Sequence, residues 1–304
     1  MPEDVFVLPV DRRLGAHTTL RRVGALPVVV VTHPRVRAAI TLQGAQLVHW
    51  QPAGEEPVLW LSETTAFEEG RAVRGGVPIC WPWFGAAGRP SHGFARVLPW
   101  ELLDVDESGA EDKGEAAPGD ETVRVTLVLR ASEASRAYWP HEFEVFARFV
   151  LGRECRIELE ARGDFESTAA LHTYLRVGDL DEVRVTGLGG PYVDKVLDTL
   201  VHTDPAPAGI AFRGQTDRVY TRPGDVSPVE DPAGKRVVEV CHEGHTDVVV
   251  WNPGADLART MADVPDDGYR EFVCVETAHV SRPLVSTPGT PARLGATLRI
   301  APDA

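Results

Sequence analysis

Val123-Arg-Val-Thr-Leu-Val-Leu-Arg130 alternates apolar and polar residues over eight positions. Cys155-Arg-Ile-Glu-Leu-Glu-Ala-Arg162 repeats the pattern a little further on. In an extended chain successive side chains point to opposite faces, so each run places one face on a core and the other toward water or a second layer. Phe143 to Val150, Val237 to Cys241, Val248 to Trp251 and Leu294 to Ile300 also read as strands. Gly, Pro, Asp and Asn clusters punctuate them. No stretch keeps a 3.6-residue apolar period for long, and the best short helical candidate, Ala131 to Ala137, has few apolar anchors. Many short, closely spaced strands predict an all-β fold, a large antiparallel sandwich or barrel. No repeat of fixed period and no clear linker breaks the chain, so residues 1–304 read as a single domain.

The 304 residues are enough to bury a large core without disulfides or a metal. The formal net charge is −14, which argues against a nucleic-acid partner because a polyanion needs an extended basic surface. It does not exclude a small anionic substrate, which needs only two or three placed cations. The longest apolar run, Ala25 to Val31, is interrupted by Pro27 and falls far short of the ~20 residues of a membrane helix. The N-terminus lacks the basic-then-apolar order of a secretory signal. Cys80, Cys155, Cys241 and Cys274 form no CxxC pair and read as reduced, buried thiols. Together these features predict a cytoplasmic protein without a membrane partner. Asp104 to Glu121 holds eight acidic residues and one Lys, half of the total net charge, and reads as a solvated acidic loop between two strands.

Chemistry concentrates in three stretches. Arg71 to Arg96, RAVRGGVPICWPWFGAAGRPSHGFAR, matches neither a P-loop nor a dinucleotide fingerprint. Trp81, Trp83 and Phe84 around Pro82 can build a rigid wall, for packing or for stacking on a sugar face. Arg71, Arg74, Arg89 and Arg96 surround them, and Gly75, Gly76 and Gly93 allow backbone to approach a ligand closely. The planar donor fork of arginine bonds two phosphate oxygens at once; the same arginines can equally be surface cations. His92 suits either a ligand contact or a hydrogen-bonded structural role. His172, within Ala169-Ala-Leu-His-Thr-Tyr-Leu-Arg-Val177, is either a satisfied core histidine or an acid–base group in a dry environment. Glu276 follows the apolar run Phe272-Val-Cys-Val275, and a carboxylate at the inner end of such a strand is costly unless paired or working. Asp217 is a turn residue or a partner of Arg218. His242-Glu-Gly-His245 lacks the helical spacing of a zinc site and reads as a turn, and no GxSxG elbow or cofactor fingerprint is present, so neither a metal nor a cofactor is expected.

Taken together, Gly44-Ala-Gln-Leu-Val-His-Trp50, Pro57-Val-Leu-Trp-Leu-Ser62, Arg74-Gly-Gly-Val-Pro-Ile-Cys-Trp-Pro-Trp-Phe-Gly85 and His92-Gly-Phe-Ala-Arg96 resemble the hexose-6-phosphate mutarotase family, within the wider aldose 1-epimerase group. Trp139-Pro-His141, Leu171-His-Thr-Tyr174, Asp217-Arg-Val-Tyr-Thr221, Val249-Val-Trp-Asn-Pro253 and Phe272-Val-Cys-Val-Glu276 follow in the family's order. The resemblance covers roughly Leu20 to Ile300. It implies a galactose-mutarotase-like β-sandwich with the substrate in a cleft across one sheet, and interconversion of the α and β anomers of a hexose 6-phosphate. It further implies His172 as general acid, Glu276 as general base, Arg74 and Arg96 on the substrate phosphate, and Asp217 on a sugar hydroxyl. Ser91 stands just before the HGFAR block, where relatives often place a longer polar side chain such as Gln. The expected partner is a small hexose phosphate bound by a monomer. The chemistry requires a base on the C1 hydroxyl and an acid on the ring oxygen, expected on opposite sides of the ring, with His172 held as imidazolium by nearby carboxylates and by the dianionic substrate. An epimerase of unphosphorylated aldoses, a non-catalytic sugar-phosphate sensor and a glycosidase are the alternatives; the last usually needs two carboxylates.

Overall fold

The computed structural model describes residues 4–107, 121–202 and 209–301. The alternating segments form strands, every pair of them antiparallel, in three sheets. Arg12–Arg13, Thr18–Val23, Leu26–His33, Val36–Thr41 and Gln46–Pro52 make a five-stranded meander in sequence order. The second sheet runs Arg184–Val185, Val226–Asp231, Arg236–Glu243, Ala292–Ile300, Cys155–Gly163, Phe143–Leu151, Val123–Arg130, Glu101–Asp106. The third runs Thr199–Val201, Tyr192–Asp194, Thr216–Tyr220, Asp247–Asn252, Phe272–Ser286, Phe165–Leu171, Ile79–Cys80, with Tyr174–Arg176 also paired to Phe272–Ser286.

Alternation decides which face each residue takes. Val125, Leu127, Phe149, Ile157, Leu159, Leu294 and Leu298 of the second sheet meet Leu171, Val248, Val250, Val273 and Val275 of the third in one buried cluster. Burying such a side chain fully contributes ~1.5–3 kcal/mol, so this layer dominates the stability of the sandwich. The neighbouring positions point the other way. Cys80, Ala170, Val219, Val249 and Ala278 form a second apolar cluster on the outer face of the third sheet. Glu276 lies between Cys274 and Ala278 on that same face.

Several expectations change. Glu276 is not at a strand end but within the fifteen-residue strand Phe272–Ser286, which stays extended by pairing with Asp247–Asn252 on one side and Phe165–Leu171 on the other. The acidic loop is shorter than its composition suggests, because Asp104, Val105 and Asp106 pair with Thr126, Val125 and Arg124 respectively. Glu107 then accepts hydrogen bonds from the Ala16 and His17 backbones and the Thr18 hydroxyl. Residues 108–120 lie outside the described residues. The helical candidate is a single turn, Glu133–Arg136, capped by Ser132. Cys80, Cys155 and Cys274 are free and buried, whereas Cys241 is half-buried on an outward strand position. No helix among the described residues is long and apolar enough to cross a membrane.

Candidate active site

His172 and Glu276 meet on the outer face of the third sheet. His172 follows Phe165–Leu171 and shares its face with Ala170 and Tyr174, while Leu171 and Leu175 enter the core. Glu276 is opposite Val249 in the ladder. Folding thus brings His172 Nε2 to 3.3 Å from Glu276 Oε1, although 103 residues lie between them in the chain. Both side chains are buried, at 8% and 1% exposure. His172 Nδ1 and Glu276 Oε2 have no hydrogen-bond partner among the described residues. A native protein rarely leaves buried polar atoms unpaired. Here two such atoms belong to neighbouring titratable groups.

The electrostatics differ from the sequence expectation. Burial pushes the His172 proton affinity well below the ordinary 6.5, and His92, Arg74 and Arg96 push the same way. Burial likewise drives Glu276 well above 4.5, aided by Asp217 and opposed by Lys195 and Arg96. These surroundings disfavour the imidazolium expected from sequence, because burial and the nearby cations both oppose a positive charge on the ring. The two groups are also not on opposite sides of a ring-sized space. They are adjacent, within proton-transfer range of one another.

Arg74 and Arg96, both expected at a phosphate, are held differently. Arg74 donates from Nε to Asp263 at 3.0 Å and from Nη1 to the Tyr174 hydroxyl at 2.9 Å. Burial works against its charge, and Tyr174 and Asp263 more than offset that. Arg96 donates from Nη2 to the Ser91 carbonyl at 2.7 Å, while its buried Nε has no partner among the described residues. Ser91 is exposed, and its hydroxyl is spent on the Gly85 carbonyl, so its backbone rather than its side chain shapes the site by holding Arg96. His92 takes a left-handed backbone, φ 62°, and tucks its ring between Phe84 and His172. Its Nδ1 meets Cys80 Sγ and the Gly85 N–H, both at 3.4 Å. Burial first, then Arg96, Lys195 and Arg74, lower it to about 3, so it stays neutral. Asp217 pairs with Lys195 Nζ at 3.3 Å, not with Arg218, which turns to Asp194. Burial raises the Asp217 carboxyl and Lys195 counteracts it.

The rest of the Arg71–Arg96 stretch is scaffold. Arg71 pairs with exposed Glu68, and Arg89 is exposed. Trp81 is core, edge-on to Phe94, Trp139, Phe143 and Phe165, rather than a sugar wall. Gly76 and Gly93 serve close approach of the chain to itself: a Cβ at either would collide with the Leu47 or Trp81 carbonyl. Both ring nitrogens of His242 face hydroxyls, Nδ1 that of Thr277 and Nε2 that of Ser227. His242 lies within strand Arg236–Glu243, and no cluster of metal-ligating side chains occurs among the described residues.

Four residues at the site escaped sequence reasoning. Tyr174 stacks on His172 with ring centroids 4.8 Å apart and planes 12° apart. Trp251 meets His172 edge-on at 5.9 Å, Asp263 holds Arg74, and Lys195 stands beside Asp217, 5.7 Å from the Phe84 ring centroid. Only Tyr174 carried a readable signal, since two residues apart on an extended chain means the same face. Asp263 arrives from a distant loop, and no local pattern announces it.

The aldose 1-epimerase profile matches residues 27–297. A Salmonella typhimurium protein provisionally named glucose-6-phosphate 1-epimerase is 48% identical over 99% of both chains. An Escherichia coli protein with the same provisional name is 47% identical, again over 99% of both. The crystal structure of YeaD from Salmonella typhimurium, provisionally described as a mutarotase, superposes with a TM-score of 0.92 at 46% identity and covers 98% of both chains. With a profile match across most of its length and near-half identity over all of it, this galactose-mutarotase-like sandwich belongs to the aldose 1-epimerase family.

Proposed function

We propose that the protein interconverts the α and β anomers of a hexose 6-phosphate, glucose 6-phosphate above all, acting as a cytoplasmic monomer without metal or cofactor. The observation that carries the reading is the His172–Glu276 pair, 3.3 Å apart and buried, with Arg74 and Arg96 close enough to bear on its protons. Anomer exchange requires opening a hemiacetal. The C1 hydroxyl loses its proton, the ring oxygen gains one, and the C1–O5 bond breaks. Both oxygens are bonded to C1, so two adjacent groups on one side of the sugar can serve them together. With substrate bound, the proton of the pair passes from Glu276 to His172 across their 3.3 Å contact; Glu276, now a carboxylate, takes the proton from the C1 hydroxyl, and His172 delivers one to the ring oxygen. The C1–C2 bond then rotates, and reclosure on the other face of the aldehyde reverses both transfers. General acid–base help of this kind contributes ~10²–10⁴-fold per group.

The phosphate has a second consequence for the charge balance. Arg74 and Arg96 hold the proton affinity of His172 down. A dianion placed on these cations cancels part of their field, so substrate binding raises the affinity of His172 for a proton just when an acid is needed. Asp217, beside Lys195, is positioned to accept from a ring hydroxyl. His92 and Ser91 support the pocket, His92 through its ring and Ser91 through its carbonyl to Arg96.

Anomer exchange on glucose 6-phosphate and on glucose, followed by NMR exchange spectroscopy, tests the reading. A kcat/KM for glucose 6-phosphate at least tenfold that for glucose supports it. Equal values refute the phosphate assignment and leave an epimerase of free aldoses. Exchange no faster than in buffer, together with normal ligand binding by Glu276→Gln, makes the protein a sensor.

A further inference from the structure

A catalytic imidazole is ordinarily aimed by a hydrogen bond on its second nitrogen. His172 lacks one: Nδ1 is buried and unpartnered among the described residues. Something else must stop the ring from turning about its Cβ–Cγ bond and carrying Nε2 away from Glu276. The only parallel ring against it among the described contacts is Tyr174, stacked at 4.8 Å and 12°, whereas His92 and Trp251 touch it at 64° and 73°. Tyr174 is itself fully buried, with Trp60 and Phe272 packed against its ring. Its hydroxyl accepts from Arg74 Nη1, and Arg74 Nε is fixed on Asp263.

We infer that Tyr174 is a positioning residue for the acid–base step: its ring, held chiefly by Trp60 and Phe272 and secondarily by Arg74 through the hydroxyl, keeps the His172 imidazole in the plane that directs Nε2 at Glu276. The chain of contacts runs from the half-exposed Asp263 carboxylate to the buried imidazole through one guanidinium and one phenol ring. It uses the face of the imidazole, which leaves both ring nitrogens free for the sugar and for Glu276. It also ties an arginine proposed to meet the phosphate to the orientation of the proposed acid.

The inference rests on His172 as a reacting group, so the test begins with His172→Gln. Normal anomer exchange in that variant removes the underlying reading and the inference with it. Given a loss there, Tyr174→Leu should lower kcat for glucose 6-phosphate at least tenfold while KM changes less than threefold. Tyr174→Phe, which keeps the ring and loses only the hydroxyl, should restore kcat to within about threefold of wild type. Long-range ¹H–¹⁵N spectra of the imidazoles should show His172 exchange-broadened in the Leu variant and sharp in the Phe variant. Equal kcat losses in Phe and Leu, or no loss in Leu, overturn the inference while leaving His172 in its role. Should Tyr174→Leu not fold, Tyr174→Met, which also lacks the ring but is longer and more adaptable, carries the test. It should lower kcat threefold or more and broaden the His172 signals; an unchanged kcat and spectrum overturn the inference.

Discussion

Two buried histidines stand on opposite sides of one strand, and their hydrogen bonding differs. His242 reaches Thr277 from between the two large sheets, with Nδ1 2.7 Å from Thr277 Oγ1 and Nε2 3.0 Å from Ser227 Oγ. His172 reaches Glu276, the preceding residue, from the outer face, with one nitrogen on the carboxylate and the other unpaired. Burial depresses the proton affinity of both, His242 to about 3 and His172 well below 6.5. Depth and charge cost therefore do not tell them apart. Completeness does. Two hydroxyls, each able to donate or accept, satisfy His242 in either neutral tautomer. Around His172 the polar capacity is left open: its Nδ1, Glu276 Oε2 and Arg96 Nε have no partners among the described residues. His242 closes its hydrogen bonds within the fold, whereas His172, the proposed acid, keeps one nitrogen unpaired.

The comparison predicts opposite mutant behaviour on the two sides. Glu276→Gln should lower kcat for anomer exchange by ~10²–10⁴ with an unchanged unfolding midpoint. Turnover near wild type would show that the open cluster is not the reacting pair. Combining it with His172→Gln should cost little more than the worse single change, because the two act as a unit; fully multiplicative losses would separate them. Arg96→Ala should raise KM for glucose 6-phosphate by ~10-fold or more, as expected for a charge-assisted bond worth ~1.5–3 kcal/mol. A parallel rise for glucose would detach Arg96 from the phosphate.

On the closed side, His242→Ala should leave kcat within about threefold and lower stability by ~1–3 kcal/mol, since Thr277 and Ser227 lose their partner. Urea unfolding measures this, and a large kcat loss without destabilisation would reverse the comparison. The smallest effect is on pH dependence. His242, His92 and His49 have folded-state values of about 3, about 3 and about 4, below the ordinary 6.5. The unfolded chain thus binds protons that the folded chain refuses. Their contribution is full above pH 6.5 and is lost as the pH falls from there toward 3–4. His242→Gln should flatten the stability–pH slope below 6.5 by up to one proton. An unchanged slope would mean that the acid sensitivity lies elsewhere.

Much of the fold was legible. Val123–Arg130 is a strand with the predicted bounds, and Phe143–Leu151 and Cys155–Gly163 exceed theirs by one residue each, because period-two alternation is a local property of the chain. Of the site, His172, Glu276, Arg74, Arg96, Asp217, Ser91 and His92 were nameable from motif blocks, and the structure gathers them on or beside one sheet face. The acidic segment misled at its start, because charged residues on an edge strand resemble a loop: Asp104 and Asp106 lie on Glu101–Asp106, which has one neighbouring strand among the described residues.

What the chain carries locally is direction: the alternation around Leu171-His-Thr-Tyr174 and Val273-Cys-Val-Glu276 puts His172, Tyr174 and Glu276 on the side away from the core. Distance and proton affinity are not local. The 3.3 Å between His172 and Glu276 comes from strand register, and the shifted titrations come from layers of protein that exclude water. Asp263, Lys195 and Trp251 join the site only because separate segments converge there, and Coulomb forces and desolvation depend on separation in space, not along the chain.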